Sequence, residues 1–182
     1  MKDNKHAYAR HAETTVEIAA PASELFAFLD DHHNLSSHMS NPSSPMMGGG
    51  QMELILDEGK GRVLGSHVVM RGSAFGLRLF VDEIVATRTP PITKSWKTVA
   101  ERLIVIGAYT LGFTIAGNGT ESKLTVWIDY NLPRRGRLWG LIGGKTYANW
   151  CVRQIADAPL ERFGSTGAAI GGRASSVSSG ET

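Results

Sequence analysis

The sequence predicts an α+β fold, in which a curved antiparallel sheet of six to seven strands covers one long C-terminal helix. Three observations lead to this prediction. Over residues 134–163, apolar residues recur every three or four positions, which is the spacing of one helix face. The preceding chain mostly alternates apolar and polar residues in short runs, as half-buried strands do. Short turn signals separate these runs, so neighbouring strands are expected to pair antiparallel.

The N-terminal part predicts one strand followed by short helices. Apolar and polar residues alternate over residues 13–20, which indicates a strand with one buried face. Pro21 suits the start of a helix over residues 22–29. A second short helix or turn is expected over residues 30–39. A loop rich in Ser, Pro and Gly follows over residues 40–50.

Six further runs have the character of strands. The Asn118-Gly119 pair is a strong signal for a two-residue hairpin between the last two. Thr89-Pro90-Pro91 is expected to end the long alternating run before it. The predicted strands cover residues 51–57, 62–71, 75–87, 92–99, 102–116 and 123–132.

The C-terminal helix is the element that the sheet is expected to cover. Pro133 stands where a helix can begin, and Gly164 stands where a C-terminal cap requires positive φ. Gly143 and Gly144 indicate a bend or a close approach of another backbone. Pro159 is expected to kink the last turns or to end the regular helix early. The predicted buried face consists of Leu138, Leu141, Lys145, Ala148, Val152, Ile155 and Phe163.

Composition suggests one domain between two polar ends. Residues 1–11 are a polar lead that we expect to be flexible, and residues 12–163 form the predicted domain. Residues 164–182 are rich in Gly and Ser and offer too little apolar surface to offset the entropy of ordering. This segment is therefore predicted to be a disordered tail.

Charge and cysteine content exclude several classes of function. The net charge of +2 and the pI of about 8.8 are too mild to indicate a nucleic-acid partner. Cys151, the one cysteine, excludes a disulfide framework and is expected to be a buried structural thiol rather than a nucleophile. The sequence shows neither a run long enough to span a bilayer nor a signal-peptide core, so a cytoplasmic location is expected.

Residues 16–26, Val-Glu-Ile-Ala-Ala-Pro-Ala-Ser-Glu-Leu-Phe, carry a family resemblance, together with Thr89-Pro90-Pro91 and the final amphipathic helix. In this order, over residues 12–163, they resemble the START-like superfamily, also called the SRPBCC or polyketide cyclase/dehydrase and lipid-transport group. It shares its fold with the birch-pollen-allergen proteins. The resemblance implies a helix-grip fold with an internal pocket for an apolar or amphipathic ligand. Because its members include carriers, sensors, cyclases and co-chaperone domains, it leaves the activity open.

Residues that face the expected pocket are the candidate ligand contacts, since such sites combine apolar walls with a few polar groups. The polar candidates are Tyr109, Tyr130, Lys145 and Asn149. The candidate walls are Met70, Trp96 and Phe113. As alternatives, Tyr109, Phe113 and Trp96 simply fill the core, and Lys145 extends to the rim with only its stem buried. His67 alternates with apolar Val68 and Met70, so strand parity favours an outward side chain.

Three further clusters are polar or flexible. Asp30-Asp31-His32-His33 with His38 has the composition of a metal site but lacks a ligand-spacing motif, which favours a solvated helix end. Asp82 and Glu83 are adjacent on a strand and should face opposite sides. Gly48-Gly49-Gly50 reads as a flexible loop, which with Met46 and Met47 could form an adaptable lid. No metal or cofactor is expected.

Three functions remain open from the sequence. The leading hypothesis is non-catalytic binding of one small hydrophobic or amphipathic molecule, such as a lipid, polyketide, isoprenoid or aromatic compound. The second is a cyclase/dehydrase-type enzyme that moves protons with Tyr109, Lys145 or His67. The third is a regulatory protein-interaction domain. The sequence determines neither the ligand nor the oligomeric state.

Overall fold

The computed structural model describes residues 8–36, 52–74, 76–117, 119–134 and 137–166. The loop predicted over residues 40–50 and most of the predicted tail lie outside these ranges. The described elements, in chain order, are β1 Arg10–Ile18, α1 Ala22–Asp30, α2 His32–Ser36, β2 Met52–Leu56, β3 His67–Ala74, β4 Leu77–Thr89, β5 Thr93–Arg102, β6 Tyr109–Gly117, β7 Ser122–Tyr130 and α3 Arg137–Phe163.

The seven strands form one antiparallel sheet in the order β1-β7-β6-β5-β4-β3-β2. Strands β2 to β7 are therefore neighbours in chain order, and β1 forms the edge of the sheet beside β7. Two irregularities in the β4–β5 register interrupt the ladder, and such bulges bend a sheet. Helix α3 packs against β1 and β7 on the concave face. The predicted α+β class, with its curved antiparallel sheet and long C-terminal helix, is confirmed.

Strands β6 and β7 place their apolar residues on one face, as their alternation predicts. The side chains that face inward are buried to 7% exposure or less: Tyr109, Leu111, Phe113, Ile115, Leu124, Val126, Ile128 and Tyr130. The register sets Phe113 opposite Val126 and Leu111 opposite Ile128. This continuous apolar surface is the part of the core on which the helices lie.

Two strands are shorter than predicted because their first residues make turns. β3 begins at His67, since the Asp57 carboxylate accepts hydrogen bonds from the Ser66 hydroxyl and the His67 amide and so folds the preceding chain into a turn. β6 begins at Tyr109 rather than at residue 102. The connection leaves the sheet there, and the Gly107 amide donates to the Asn131 carbonyl at 2.8 Å.

Helix α3 ends as predicted, and the predicted face is buried at Ala148, Val152 and Ile155 but not over the first turns of the helix. Gly164 caps it at φ 79°, and its amide donates to the Leu160 carbonyl at 2.9 Å. Pro159 lies inside the helix without ending it, so the predicted early end is wrong. Leu138 and Leu141 are 67% and 53% exposed, and Lys145 is also exposed, so the predicted buried stripe is wrong over these turns.

The N-terminal turns of α3 bury glycine instead of leucine. Gly140 and Gly144 are both buried, and a Cβ atom on Gly144 would lie 3.0 Å from the Val105 carbonyl oxygen. The close approach of another backbone, predicted from Gly143 and Gly144, is thus confirmed. No helix among the residues that the structure describes is both long and apolar enough to cross a membrane.

Candidate functional site

A cavity lies between the concave face of the sheet, α2 and α3. Its lining comes from α2, from β2 to β7 and from α3, and most of the lining side chains are apolar. The volume open to the centres of water-sized molecules is about 50 Å³, within about 550 Å³ of unfilled space that includes the opening to solvent. Ligand pockets for drug-sized molecules usually enclose roughly 300–1,000 Å³. The enclosed volume of about 50 Å³ is well below this range, so it suits only a compact chemical group.

Glu83 places a carboxyl group inside this apolar cavity. It lies on β4 between Val81 and Val85, at the two-residue spacing that puts all three on the inward face. Its side chain is 1% exposed, and Oε1 has no hydrogen-bond partner within the part of the chain that the structure describes. Burial raises the pKa of Glu83 to about 8, although a hydrogen bond from Tyr109 partly opposes this effect. The carboxyl is consequently protonated for the most part at neutral pH.

Tyr109, Tyr147 and Cys151 continue the polar group that begins at Glu83. Burial, and then the neighbouring Glu83 carboxyl, raise the pKa of Tyr109 well above its ordinary value. On α3, the Tyr147 hydroxyl makes a hydrogen bond with the Cys151 thiol one helical turn away. Burial raises the pKa of Cys151 to about 12, so the group is a thiol and not a thiolate at neutral pH. The predicted burial of this cysteine is confirmed.

His32 closes the cavity beside Trp96. Its ring is 4% exposed, and its centroid lies 5.4 Å from that of the Trp96 ring in an edge-to-face arrangement. Burial, followed by the charge of Lys94, lowers the pKa of His32 to about 3. His32 is therefore a neutral imidazole across the physiological pH range.

A buried ion group supports α1 and α2 behind His32. The Asp30 carboxylate accepts hydrogen bonds from Arg88 Nε at 3.0 Å, Arg88 Nη2 at 2.8 Å and Lys94 Nζ at 2.8 Å. Lys94 is fully buried and also donates to the Asp30 carbonyl at 3.0 Å. Burial acts to raise the pKa of Asp30, but the hydrogen bonds and charges of Arg88 and Lys94 outweigh it and lower the pKa.

The predicted solvated helix end is therefore wrong for Asp30 and His32, which are both buried because the sheet packs over them. His38 of the same predicted cluster lies outside the described residues. Within the described ranges, no group of three or more His, Cys, Asp or Glu side chains is placed to hold a metal ion.

Comparison with known proteins gives a match in structure alone, since no family model and no curated protein matches the sequence. Norcoclaurine synthase from Thalictrum flavum superposes with a TM-score of 0.59 at 13% identity, over 84% of this chain and 92% of that one. A START superfamily protein from Mycobacterium smegmatis superposes with a TM-score of 0.55 at 16% identity, over 84% and 96% of the two chains. The chain has the START-like helix-grip fold.

An enzyme with this fold is also similar. Zhui aromatase/cyclase from Streptomyces sp. R1128 superposes with a TM-score of 0.54 at 15% identity, over 84% of this chain and 95% of that one. The START-like resemblance read from residues 16–26 and the final helix is confirmed as a resemblance in fold. Since START-like folds host binding proteins and enzymes, the comparison leaves the activity to be argued from the site.

The START-like fold brings some of the predicted contact residues to the cavity and leaves others away from it. Met70, Trp96 and Tyr109 line the cavity. Phe113 and Tyr130 are buried in the core beyond its lining, at 0% and 1% exposure. Lys145 is exposed and Asn149 is half-buried, and neither lines the cavity.

The outer face of the sheet carries His67, as strand parity predicts. Its side chain is 51% exposed, and Nδ1 lies 2.8 Å from Asp82 Oδ1. Asp82 and Glu83 face opposite sides of β4, which is also as predicted. The predicted alternative use of His67 in proton transfer inside the cavity has no support from this position.

Four polar or ionisable cavity residues, Glu83, Tyr147, Cys151 and His32, were not among the predicted contacts. The sequence does predict an inward position for Glu83, because this residue occupies an apolar position in the alternation Val81-x-Glu83-x-Val85. Tyr147, Cys151 and Ile155 follow at four-residue spacing on α3, so a helix face through them was equally visible. Ile155 belongs both to this face and to the predicted one, and the packing of α3 on β1 and β7 buries residues of both.

Proposed function

We propose that this protein binds one small amphipathic ligand in the cavity, with its apolar part against the sheet and its polar group against Glu83. The observation that supports this most is the buried carboxyl, whose Oε1 lines an apolar cavity without a partner among the described residues. A buried polar group without a hydrogen bond costs about 1–3 kcal/mol. A ligand that supplied the missing partner would recover part of that cost.

The small enclosed volume limits the part of the ligand that lies inside. About 50 Å³ for the centres of water-sized molecules suits a ring or a short branched chain, and a longer chain would have to extend through the opening. Of the predicted contacts, Met70, Trp96 and Tyr109 are retained as ligand contacts in this proposal. Because the Glu83 carboxyl is mostly protonated at neutral pH, a neutral hydroxyl or carbonyl group is its preferred partner.

Titration with the neutral one-ring probe p-cresol, followed by isothermal titration calorimetry and native mass spectrometry, tests the proposal. One probe molecule should bind per chain. Leu54→Trp, which fills the cavity from β2, should weaken binding at least tenfold. Ile84→Trp introduces the same ring on the outer face of β4 and should bind normally. Equal binding by both variants, or no binding by the unaltered protein, would contradict the proposal.

A proton-transfer enzyme is the second candidate, and the position of Glu83 favours it. A carboxyl with a pKa of about 8, in hydrogen-bond contact with Tyr109, can exchange a proton near neutral pH. Lys145 and His67 lie outside the cavity, so this form of the cyclase/dehydrase hypothesis depends on Glu83 and Tyr109.

Exchange of the α C–H protons of the neutral ketone cyclohexanone in D₂O, followed by NMR, distinguishes the two candidates. An enzyme should accelerate exchange, and Glu83→Gln should reduce the acceleration by about 10²-fold or more while probe binding persists. Probe binding without any acceleration of exchange by the unaltered protein would instead favour the binding protein.

A further inference from the structure

The first two turns of α3 expose large apolar side chains. Leu138, Trp139, Leu141 and Ile142 are 67%, 65%, 53% and 69% exposed. A surface helix ordinarily turns its large apolar residues toward the core, and this segment does the opposite. We call these four residues the α3 apolar face.

Glycine is the reason that the apolar face points outward. A Cβ atom on Gly140 would lie 2.5 Å from Pro133 Cδ, and one on Gly144 would lie 3.0 Å from the Val105 carbonyl oxygen. The side of the helix that meets the protein therefore has no room for a large side chain. At about 100° per residue, the four apolar residues share one arc of about 160° opposite Gly140. They form a contiguous face and not a scatter of single residues.

Positively charged residues are close to this face in the sequence. Residues 130–156 contain Arg134, Arg135, Arg137, Lys145 and Arg153 and no acidic residue. Arg137 and Lys145 are exposed on the same turns of α3, and Lys145 falls within the apolar arc. Exposed Trp, Leu and Ile beside Lys and Arg are the composition of helices that lie in an anionic membrane interface.

We propose that the α3 apolar face docks on an anionic lipid surface, with the apolar side chains in the interface and Arg137 and Lys145 against lipid phosphates. Charge complementarity favours lipid over a second copy of the chain. A two-fold symmetric dimer through this face would bring the same cations of both copies together, whereas an anionic membrane attracts each of them. The inference does not depend on what the cavity binds.

Sedimentation with vesicles tests this inference through its apolar part. The protein should sediment with vesicles of phosphatidylcholine and phosphatidylserine at a ratio of 7:3, and much less with phosphatidylcholine alone. Ile142→Ser should lower the partition coefficient about tenfold, because it removes one inserted side chain. Ile92→Ser removes the same side chain from a 52% exposed position in the β4–β5 turn and should leave partitioning unchanged.

The charged part has its own matched pair of variants. Arg137→Glu combined with Lys145→Glu should abolish the preference for anionic vesicles. Lys97→Glu combined with Arg102→Glu makes the same change in net charge at exposed positions on β5 and should retain that preference. Raising the salt from 0.1 to 0.5 M should weaken binding of the unaltered protein.

Three results would overturn the inference: no sedimentation with anionic vesicles, equal partitioning of the two Ser variants, or equal vesicle preference of the two charge-reversed variants. A dimer that Ile142→Ser dissociates, without vesicle binding, would assign the face to a second copy. Circular dichroism should show every variant folded, since all the positions are exposed. Should Ile142→Ser unfold, Leu138→Ser tests the same face from a 67% exposed position.

Discussion

Replacing Glu83 with Gln should change how stability depends on pH. In the folded chain burial raises the pKa of this carboxyl to about 8 from its ordinary value of 4.5. The folded state therefore holds a proton that the unfolded state releases between these values. The stabilisation linked to this proton is fully present below pH 4.5 and is lost as the pH rises through about 8.

The size of the effect follows from the two pKa values. One pKa unit corresponds to about 1.4 kcal/mol, so release of the Glu83 proton in the unfolded state alone should lower the unfolding free energy by about 3 to 4 kcal/mol between pH 5 and pH 8. Glutamine has nearly the same shape and does not titrate. The unfolding free energy of Glu83→Gln should therefore rise relative to that of the unaltered protein as the pH increases, even if the variant is slightly less stable at pH 5.

Urea unfolding at pH 5, 6, 7 and 8, followed by far-ultraviolet circular dichroism, measures this difference. Glu17→Gln, a change at an exposed position on β1, serves as the control and should follow the unaltered protein. The reasoning about Glu83 would be refuted by parallel pH profiles for Glu83→Gln and the unaltered protein. It would equally be refuted if Glu17→Gln gave the same divergence.

Three further predictions concern His32, the buried ion group at Asp30 and the first turns of α3. His32 is buried with its pKa lowered to about 3, so the stability that its neutral form contributes is present above pH 6.5 and is lost on acidification. The unaltered protein should therefore lose about 3 kcal/mol of unfolding free energy between pH 7 and pH 4 because of His32, and His32→Phe should not show this loss in urea unfolding. Asp30→Asn leaves Lys94 buried without its carboxylate and should cost about 3–5 kcal/mol, whereas Lys94→Met keeps the Arg88–Asp30 pair and should cost less in the same assay. Gly140→Ala should lower the thermal midpoint through a clash worth about 1–3 kcal/mol, because Pro133 leaves no space, while Gly143→Ala meets only the Val105 side chain at 3.2 Å and should cost less. Equal effects within either pair of variants, or an unchanged acid limb in His32→Phe, would contradict these assignments.

The proposals share one physical basis, which is the division of α3 into two parts. Its N-terminal turns press glycines against the protein and present apolar side chains outward. Its middle turns direct Tyr147 and Cys151 into the cavity beside Glu83. One helix therefore contributes both to the proposed membrane contact and to the proposed ligand site, and the variants above test these roles separately.

The sequence by itself determined the class of fold, the approximate positions of the seven strands and the inward faces of β6 and β7. It could do so because alternation with period two and helical spacing are local consequences of backbone geometry. The same local rule places His67 outside, and it places Glu83 inside because its carboxyl lies between Val81 and Val85 at two-residue spacing.

Only the tertiary structure decided which face is buried in the first turns of α3 and which polar groups meet. Leu138 and Lys145 share helical spacing with the residues that pack on the sheet, yet both are exposed, because the backbone of Val105 and the ring of Pro133 approach the glycines instead. The local sequence predicts a solvated helix end at Asp30 and His32. In the structure, Lys94 binds Asp30 and Trp96 packs on His32, and both partners are more than sixty residues away in sequence. Such contacts depend on distances between elements that are remote in the chain, and no local periodicity records them.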